Sequence, residues 1–190
     1  MSHHFKWKVT IFTKRSIVCL TQPAENLYLL QMNTIRPIKK EDNKFVANII
    51  RSVMTEFEAN GEGFAIHDKE VDNMHENYTQ PRWAYFVCEA DGEIIGGGGV
   101  APLQGGDANT CELKKMYFLT AGRGKGLGQK ILSLCLKAAK ERNFEFCYLE
   151  TFTTMKSAMK LYEKNGFEKI PKPLGSTGHF GCNTFYRMRL

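Results

Sequence analysis

The sequence predicts one α/β (α+β) domain in which helices flank a sheet of short strands. Its 190 residues, of which 43% are hydrophobic and 24% are charged, match a single globular domain in size and composition. Segments with the two-residue hydrophobic period of strands alternate with segments that have the 3.6-residue period of helices. No run of about 18 consecutive apolar residues occurs, so no segment is predicted to cross a membrane.

The first half of the chain divides at residues that favour caps and turns. Asp42 is a residue type that begins helices, and Asn60-Gly61-Glu62-Gly63 interrupts the pattern that follows it. Asp91-Gly92 favours a two-residue hairpin turn between strands. The predicted elements are a strand at Asn33–Pro37, a helix from Asp42 to about Ala59 with the apolar stripe Phe45, Ile49, Val53 and Phe57, a weaker helix at Asp68–Tyr78, and strands at Trp83–Glu89 and Glu93–Val100.

The second half shows the same alternation around a glycine-rich connection. Asn165-Gly166 follows a helical stripe and favours the end of a helix. The predicted elements are a strand at Cys111–Leu119, in which Cys111, Leu113 and Tyr117 face away from Glu112, Met116 and Phe118, a helix over about 126–142 with Leu127, Ile131, Leu134 and Ala138 on one stripe, a strand at Glu145–Thr151, a helix at Met155–Lys164, and strands at Phe167–Ile170 and Asn183–Leu190.

The N-terminal segment differs from the rest of the chain because it shows neither period. Met32 directly precedes the first predicted strand. We therefore expect residues 1–31 to be disordered or a non-native extension and residues 32–190 to form the domain. The basic bias of the segment leaves a short organellar presequence as an alternative.

Charge and cysteine content restrict the classes of partner. The net charge is +6, but residues 1–31 hold four basic residues and one acidic residue, which leaves +3 for the remainder. This excess is weak for a nucleic-acid module, and no basic-aromatic interleave occurs, so we expect neither a nucleic-acid nor a membrane partner. The six cysteines form no CxxC pair and no zinc spacing with histidine, which predicts reduced thiols, no metal and a cytoplasmic location.

The segment Ala121–Leu132 (AGRGKGLGQKIL) is the most informative one in the chain. Gly124, Gly126 and Gly128 join a predicted strand to a predicted helix, so backbone N–H groups can approach a ligand without Cβ obstruction. The helix N-terminus adds unpaired donors and a positive dipole, and Arg123 and Lys125 add charge. The spacing fits neither GxGxxG nor GxxxxGK[ST]. The segment predicts a site for a phosphate or pyrophosphate, or otherwise a turn that caps the helix.

Three features together resemble the GCN5-related N-acetyltransferase (GNAT) superfamily. Arg123-Gly124-Lys125-Gly126-Leu127-Gly128 is similar to the acyl-CoA pyrophosphate loop Q/R-x-x-G-x-G/A of that family. The preceding CELKKMYF is similar to its fourth strand, and LYEKNGF at Leu161–Phe167 is similar to its C-terminal helix-to-strand signature. The resemblance covers about Thr34 to Leu190, and the order of predicted elements also matches.

The resemblance implies a mixed, mostly antiparallel central sheet with a V-shaped split between the strands at 111–119 and 145–151. Acetyl-CoA is expected to lie in this split as a cosubstrate. Its pyrophosphate would contact the amides of Gly124 to Gly128 and the Arg123 side chain. Its pantetheine arm would pair with the backbone of Met116 and Phe118, like an added strand. The cofactor-binding residues expected are Met116, Tyr117, Phe118, Arg123, Gly124, Lys125, Gly126, Leu127 and Gly128.

The chemistry that the resemblance implies is attack of an amine on a thioester. An ammonium must first lose a proton, and Glu112 is the candidate base. An equally weighted interpretation of Glu112 is a charged residue at the edge of a half-exposed strand. The Met116 amide is the candidate donor to the oxyanion. Tyr162 occupies the position of the family's frequent general acid, and a core aromatic role is compatible with that function.

The acceptor is less defined by the sequence. A small-molecule amine, an amino acid or a peptide amine is expected, with specificity in Gly61–Asp68 and in the 173–182 loop. Phe64, His67 and His179 are the candidate substrate residues there. The family often has a cofactor-contacting asparagine where Met155 stands here, so that contact is not carried over. Gly96–Gly99 indicates either a bulge or space for an acceptor.

Two other functions stay open at this point. A non-catalytic acyl-CoA-binding or sensing module would share the fold, since fold does not fix function. A nucleic-acid-binding domain would depend on the charge alone, and salt-dependent DNA binding by residues 32–190 would support it. The sequence also leaves a homodimer open.

Overall fold

A computed structural model of the chain describes residues 33–190. The predicted N-terminal extension, residues 1–31, lies outside the described residues. Within the described range, no helix is both long enough and apolar enough to cross a bilayer. The strands and helices are β1 (Asn33–Pro37), α1 (Asn43–Glu56), α2 (Met74–Tyr78), β2 (Ala84–Ala90), β3 (Glu93–Pro102), β4 (Thr110–Phe118), α3 (Leu127–Glu141), β5 (Phe146–Thr151), α4 (Lys156–Lys164), β6 (Glu168–Ile170) and β7 (Thr184–Arg189).

The seven strands form one sheet in the order β1-β2-β3-β4-β5-β7-β6. Only β4 and β5 pair in parallel, and the other neighbours are antiparallel. The hairpin between β2 and β3 turns at Asp91 and Gly92, which both have positive φ, as a tight hairpin turn requires. The predicted mixed, mostly antiparallel sheet is confirmed.

The parallel pair β4–β5 is short, and this creates the split. Their register contains only Thr110 with Phe146, Cys111 with Cys147, and Glu112 with Tyr148. β4 continues to Phe118 and β5 to Thr151, but the two strands are no longer paired there. The sheet therefore opens into the expected V between these strands.

Helices cover both faces of the sheet. On β2, Tyr85 and Val87 join the core beneath α1, whereas Ala84 and Cys88 join the core beneath α3 and α4. This alternation follows the two-residue period of a strand that is buried on both faces.

The buried face of α1 differs from the predicted stripe. Phe45 is 57% exposed, whereas Val46, Ile50 and Met54 are fully buried together with Val53. The sheet contacts a face of the helix centred on Ile50, so the i, i+4 series that begins at Phe45 points partly to solvent. The prediction that Phe45 belongs to the core stripe is wrong.

Two further predictions need correction. The weaker helix predicted at Asp68–Tyr78 is a 3-10 helix at Lys69–Asn73 followed by the short α2, because Asn73 leaves the helical region with φ −132° and ψ 44°. Asp42 does precede α1, but its carboxylate accepts from the Lys39 amide and from Arg36 instead of capping the helix.

The predicted alternation along β4 fails at a β-bulge. Gly97 pairs with Tyr117 and Gly99 pairs with Lys114, so β4 contains one extra residue between them. Lys115 has φ 52°, in the left-handed region. One inserted residue exchanges the faces of the strand beyond it. Met116 and Phe118 consequently share the core of Cys111 and Leu113, and Tyr117 joins the opposite core.

The four-glycine run lies in β3, where neighbouring atoms approach the backbone closely. A Cβ atom on Gly97 would lie 2.6 Å from the Phe86 carbonyl oxygen, and one on Gly99 would lie 2.5 Å from the Ala84 carbonyl oxygen. A Cβ on Gly98 would lie 2.8 Å from Cγ2 of Ile131 in α3. The glycine run is interpreted from the sequence either as a bulge or as space for an acceptor. The structure shows a bulged, closely packed backbone, because the space beside these glycines is filled.

We predict that Gly99→Ala destabilises the fold by about 1–3 kcal/mol, because the new methyl meets backbone that cannot move aside easily. Gly61→Ala is the matched control, since no atom lies within 4 Å of its Cβ position. The measurement is the free energy of unfolding in urea. Equal stability of the two variants would contradict the close packing described for β3.

Candidate active site

A cleft of about 420 Å³ lies where β4 and β5 part. The cleft is lined by the C-terminal part of β4, the glycine loop with the start of α3, the first two turns of α4 with the residues directly before it, and the C-terminal end of α1. Of the predicted cofactor residues, those that line the cleft are Met116, Tyr117, Phe118, Arg123, Gly124, Gly126 and Gly128.

The glycine loop adopts the conformation that its sequence predicts. Gly124 and Gly126 have φ of 72° and 74°, and Gly126 is the residue directly before α3. No atom lies within 4 Å of the Cβ position of either glycine. The amides in the first turn of a helix have no acceptor within the helix, so the loop and the start of α3 offer N–H donors to the cleft.

The charged and apolar members of the loop have different positions. The Arg123 guanidinium donates to Glu56 of α1 at 2.5 and 2.7 Å, and its Nε donates to the Phe118 carbonyl at 2.8 Å. Arg123 therefore ties the loop to α1 and β4. The Leu127 side chain is buried in the core, so only its backbone is available to a ligand. Lys125 is exposed and is not among the lining residues.

The bulge changes the edge of β4 that faces the cleft. Neither Lys115 nor Met116 has a register partner on β3. Beyond Glu112, no strand within residues 33–190 pairs with the other edge of β4, and Met155 and Met116 both line the space there. The Met116 backbone is thus outside the regular ladder, at the position predicted for the donor to the oxyanion.

Tyr162 lies on α4 at the junction of the cleft and a second cavity. Its ring packs edge-on against Phe167 at 5.8 Å between centroids, and the residue is 6% exposed. Its hydroxyl forms no hydrogen bond with any of residues 33–190. Burial raises the pKa of the Tyr162 hydroxyl well above its ordinary value, so the group stays protonated at neutral pH.

The second cavity, of about 40 Å³, is called here the acceptor pocket. It shares Met116, Tyr117, Met155 and Tyr162 with the cleft. Other residues of its wall are Met54, Ala65, Glu112, Leu113, Lys114, Lys115, Glu150, Thr151, Phe152, His179 and Cys182.

Glu112 lies in the wall of the acceptor pocket and is only 4% exposed. Its carboxylate forms no hydrogen bond with any side chain or amide of the described chain. Burial raises the pKa of this carboxyl, although Lys114, His179 and Lys115 act in the opposite direction. A poorly solvated carboxylate with a raised pKa is suited to accept a proton.

His179 connects three carboxylates in the pocket. Its Nε2 lies 2.9 Å from Asp68 Oδ2, and its Nδ1 lies 3.9 Å from Glu112 Oε1 and 3.8 Å from Glu150 Oε2. Because Asp68 accepts from Nε2, Nδ1 is the nitrogen that faces the two glutamates. His179 therefore belongs to the pocket wall, with a side chain that is 8% exposed.

Behind this wall lies a buried ion-pair network centred on Lys115. Its ammonium contacts Asp68 and lies 3.1 Å from Glu70, which also lies 3.0 Å from Lys114. Burial alone would raise the pKa of Asp68, but His179 and Lys115 outweigh burial and lower it to about 2. Asp68 is consequently anionic at neutral pH and fixes the orientation of His179.

The other two predicted substrate residues have structural roles. The Phe64 ring packs edge-on against Phe152 at 5.6 Å between centroids and stacks over Gly181. The His67 ring donates a hydrogen bond from Nε2 to the Asn60 carbonyl at 3.0 Å, and it is not in the pocket wall.

The two predicted specificity segments contact each other beside the pocket. The Gly181 amide donates to the Gly63 carbonyl at 3.0 Å, and the Asp68–His179 bond joins the same two segments. The 61–68 segment and the 173–182 loop thus hold each other in place.

Sequence reasoning missed Glu150, Lys115 and the contacts that Asp68 makes with Lys115 and His179. The Glu150 side chain is 3% exposed, and its Oε1 accepts from Tyr148 at 2.8 Å and from Thr177 at 2.9 Å. One signal was available for Glu150: a carboxylate near the end of the strand that pairs in parallel with the strand of Glu112. The Lys115 contact depends on the bulge, which left no signal in the hydrophobic pattern.

Comparison with known proteins identifies the relatives of this chain. The model of the acetyltransferase (GNAT) family matches residues 47–167. The uncharacterized N-acetyltransferase YjgM of Escherichia coli (strain K12) is 44% identical over 153 residues, which cover 80% of this chain and 92% of that protein.

Solved structures share the fold. An acetyltransferase of the GNAT family from Staphylococcus aureus Mu50 has a TM-score of 0.72 and 24% identity, and the match covers 83% of this chain and 99% of that one. The Salmonella typhimurium protein yncA, solved with its cofactor acetyl-CoA, has a TM-score of 0.65 and 21% identity, with coverage of 83% and 94%.

Proposed function

The chain belongs to the acetyltransferase (GNAT) family and is an acyltransferase, and we propose that it transfers the acetyl group of acetyl-CoA to a primary amine. One observation carries the proposal: the cleft with its glycine loop meets a pocket that contains the buried Glu112 carboxylate, which has no hydrogen bond within residues 33–190 and lies 3.9 Å from His179 Nδ1. The amine and acetyl-CoA would meet in one ternary complex at this junction, so that the amine attacks directly.

The cleft residues fit acetyl-CoA. The open Cβ positions at Gly124 and Gly126 leave a cradle in which backbone N–H groups can approach a pyrophosphate closely. The unpaired edge of β4 offers backbone groups of Met116 and Phe118 to the amide groups of a pantetheine arm. Arg123 supports this arrangement chiefly by fixing the loop, since Glu56 occupies its guanidinium.

The proton of the ammonium is the first one to move. When bound, acetyl-CoA supplies a thioester whose acyl carbon an unprotonated amine can attack. Glu112 takes the proton from the ammonium, directly or through a water molecule, which frees the nitrogen lone pair to form the new C–N bond. The raised pKa of Glu112 brings its proton affinity closer to that of the amine and so makes this transfer less unfavourable.

Two donors act on the charges that develop afterwards. The Met116 amide, which lies at the bulge without a register partner on β3, donates to the carbonyl oxygen as it gains negative charge. The Tyr162 hydroxyl gives its proton to the departing sulfur as the C–S bond breaks, and the resulting tyrosinate takes the second proton of the nitrogen, which leaves an amide, the CoA thiol and protonated Glu112. The Tyr162 hydroxyl is protonated at neutral pH, since burial raises its pKa above the ordinary value.

We also propose a cytoplasmic location. Cys88, Cys111, Cys135, Cys147 and Cys182 are free thiols, and persistent thiols are typical of a reducing compartment.

We predict that Gly126→Val weakens CoA binding at least about tenfold, because the side chain enters the cradle and blocks the backbone amides. Gly166→Val is the matched control: Gly166 also has positive φ and an open Cβ position, but it lies outside the cleft. Both variants carry the same backbone strain. Calorimetric titration with CoA is the measurement, and equal affinities in the two folded variants would contradict the assignment.

We predict that Glu112→Gln lowers kcat/KM most at low pH. Wild type loses activity as Glu112 becomes protonated, and burial places that loss above the ordinary glutamate pKa of about 4.3. Without the base, the rate follows only the fraction of amine that is already unprotonated, which falls about tenfold per pH unit below the pKa of the amine. The pH profile of kcat/KM is the measurement, with Glu168→Gln, an exposed residue on β6, as the control.

A Glu112→Gln profile that coincides with wild type at the lowest pH at which both remain folded would show that Glu112 is not the base.

We predict that Tyr162→Phe reduces kcat by roughly 10²–10⁴-fold when chemistry limits the rate, with near-normal CoA affinity. The ring and its packing stay, and only the proton donor is removed. Tyr186→Phe is the control, because Tyr186 is equally buried but its hydroxyl donates to Glu163 at 2.7 Å. Single-turnover kinetics are the measurement, and a wild-type rate in Tyr162→Phe would assign this residue to packing alone.

A further inference from the structure

The acceptor pocket contains more negative charge than the structure neutralises. Its wall and the network behind it hold Asp68, Glu70, Glu112 and Glu150. Among residues 33–190, two lysines and one histidine lie within ion-pair distance of these four carboxylates. The net charge is therefore −1 when His179 is protonated and −2 when it is neutral.

The negative charge is unevenly distributed. Asp68 and Glu70 already contact Lys115, and Glu70 also contacts Lys114. Within the part of the chain that the structure describes, Glu112 and Glu150 contact no lysine or arginine, and His179 Nδ1 lies 3.9 Å from Glu112 and 3.8 Å from Glu150. The uncompensated charge thus lies on these two glutamates, which face the cavity.

Glu150 is held for a different task from Glu112. Tyr148 and Thr177 both donate to Glu150 Oε1, so this carboxylate is held in a fixed position. Its Oε2 faces His179 Nδ1 and the pocket. Glu112 has no such hydrogen bond within residues 33–190, so Glu150 is the glutamate fixed in place to contact a cation, and Glu112 is the one left to accept a proton.

We infer that the acceptor enters the pocket as a cation, a primary ammonium on a carbon that carries no carboxylate, and that Glu150 is the residue that selects it. This inference rests on the proposed function, since it specifies which amine the site acylates. An α-amino acid would place its carboxylate next to Glu112 and Glu150, and both lysines nearby are already ion-paired. Alkylamines, lysine side chains and amino acids whose carboxyl group is amidated satisfy the requirement.

Butylamine, norvaline and norvalinamide provide a matched set of probes. Norvaline is butylamine with a carboxylate on the carbon that bears the amine, and norvalinamide replaces this carboxylate with a neutral group of equal size. Calorimetry at pH 7, where the amino groups are largely protonated, would measure the affinity of each for the full chain saturated with CoA. We expect norvaline to bind at least about tenfold more weakly than norvalinamide, with butylamine also binding better than norvaline.

Glu150→Gln tests the assigned residue. We expect the norvalinamide-to-norvaline ratio of affinities to fall to within about threefold in this variant. Glu168→Gln, which removes an exposed charge on β6, should keep the wild-type ratio. Acetylation rates with the three amines should follow the same order as their affinities.

Norvaline binding as tightly as norvalinamide, or no measurable binding of any of the three, would overturn the inference. A ratio that Glu150→Gln leaves unchanged would overturn the role of Glu150. The wild-type ratio decides the acceptor class even if Glu150→Gln does not fold. A different result would refute the proposed function: CoA would not bind, or no amine would be acetylated. In that case the affinities of the three amines for the CoA-free chain would still show whether norvaline binds more weakly than norvalinamide and butylamine.

Discussion

The parting of β4 from β5 after three paired positions is the constraint on which the rest of the structure depends. A sheet that stayed closed would satisfy the backbone of both strands and fill the space with side chains. Because it opens, β4 has one edge without a neighbouring strand, and a cleft of about 420 Å³ forms beside it. The last paired positions place Glu112 at the apex of the split, and Glu150 lies just beyond its partner Tyr148 on β5.

The opening requires charged groups to be buried near the apex, and the fold compensates for them locally. A buried charge is costly unless it is paired and hydrogen-bonded. Lys115 is brought inward by the bulge and meets Asp68 and Glu70, which belong to the segment between α1 and α2. Asp68 then holds His179 of the 173–182 loop. The same ion pairs that make the burial tolerable therefore join two distant segments across the acceptor pocket.

The sequence predicted those features that depend on local pattern. The order of strands and helices, the Asp91-Gly92 hairpin and the glycine loop before α3 follow from periodicity and turn chemistry, and the family resemblance supplied the split. Features that depend on long-range pairing were not predictable in this way. The bulge at Lys115 exchanges the two faces of β4 but leaves the number of apolar residues in the strand unchanged. The face of α1 that is buried depends on how the helix packs against the sheet, so the position of Phe45 was predicted wrongly. The contacts of Asp68 were not predictable from local pattern either, because its partners are 47 and 111 residues away in the chain.

The central claim is that the opened edge of β4 and the glycine loop together bind CoA. Amide hydrogen exchange with and without CoA tests it most directly, because it reports on both segments in one experiment with the unaltered chain. We expect slower amide exchange at Met116–Phe118 and at Gly124–Gly128 when CoA is present, with no change in the outer strand β6. Slower exchange confined to other segments, with unchanged rates at these two, would contradict it.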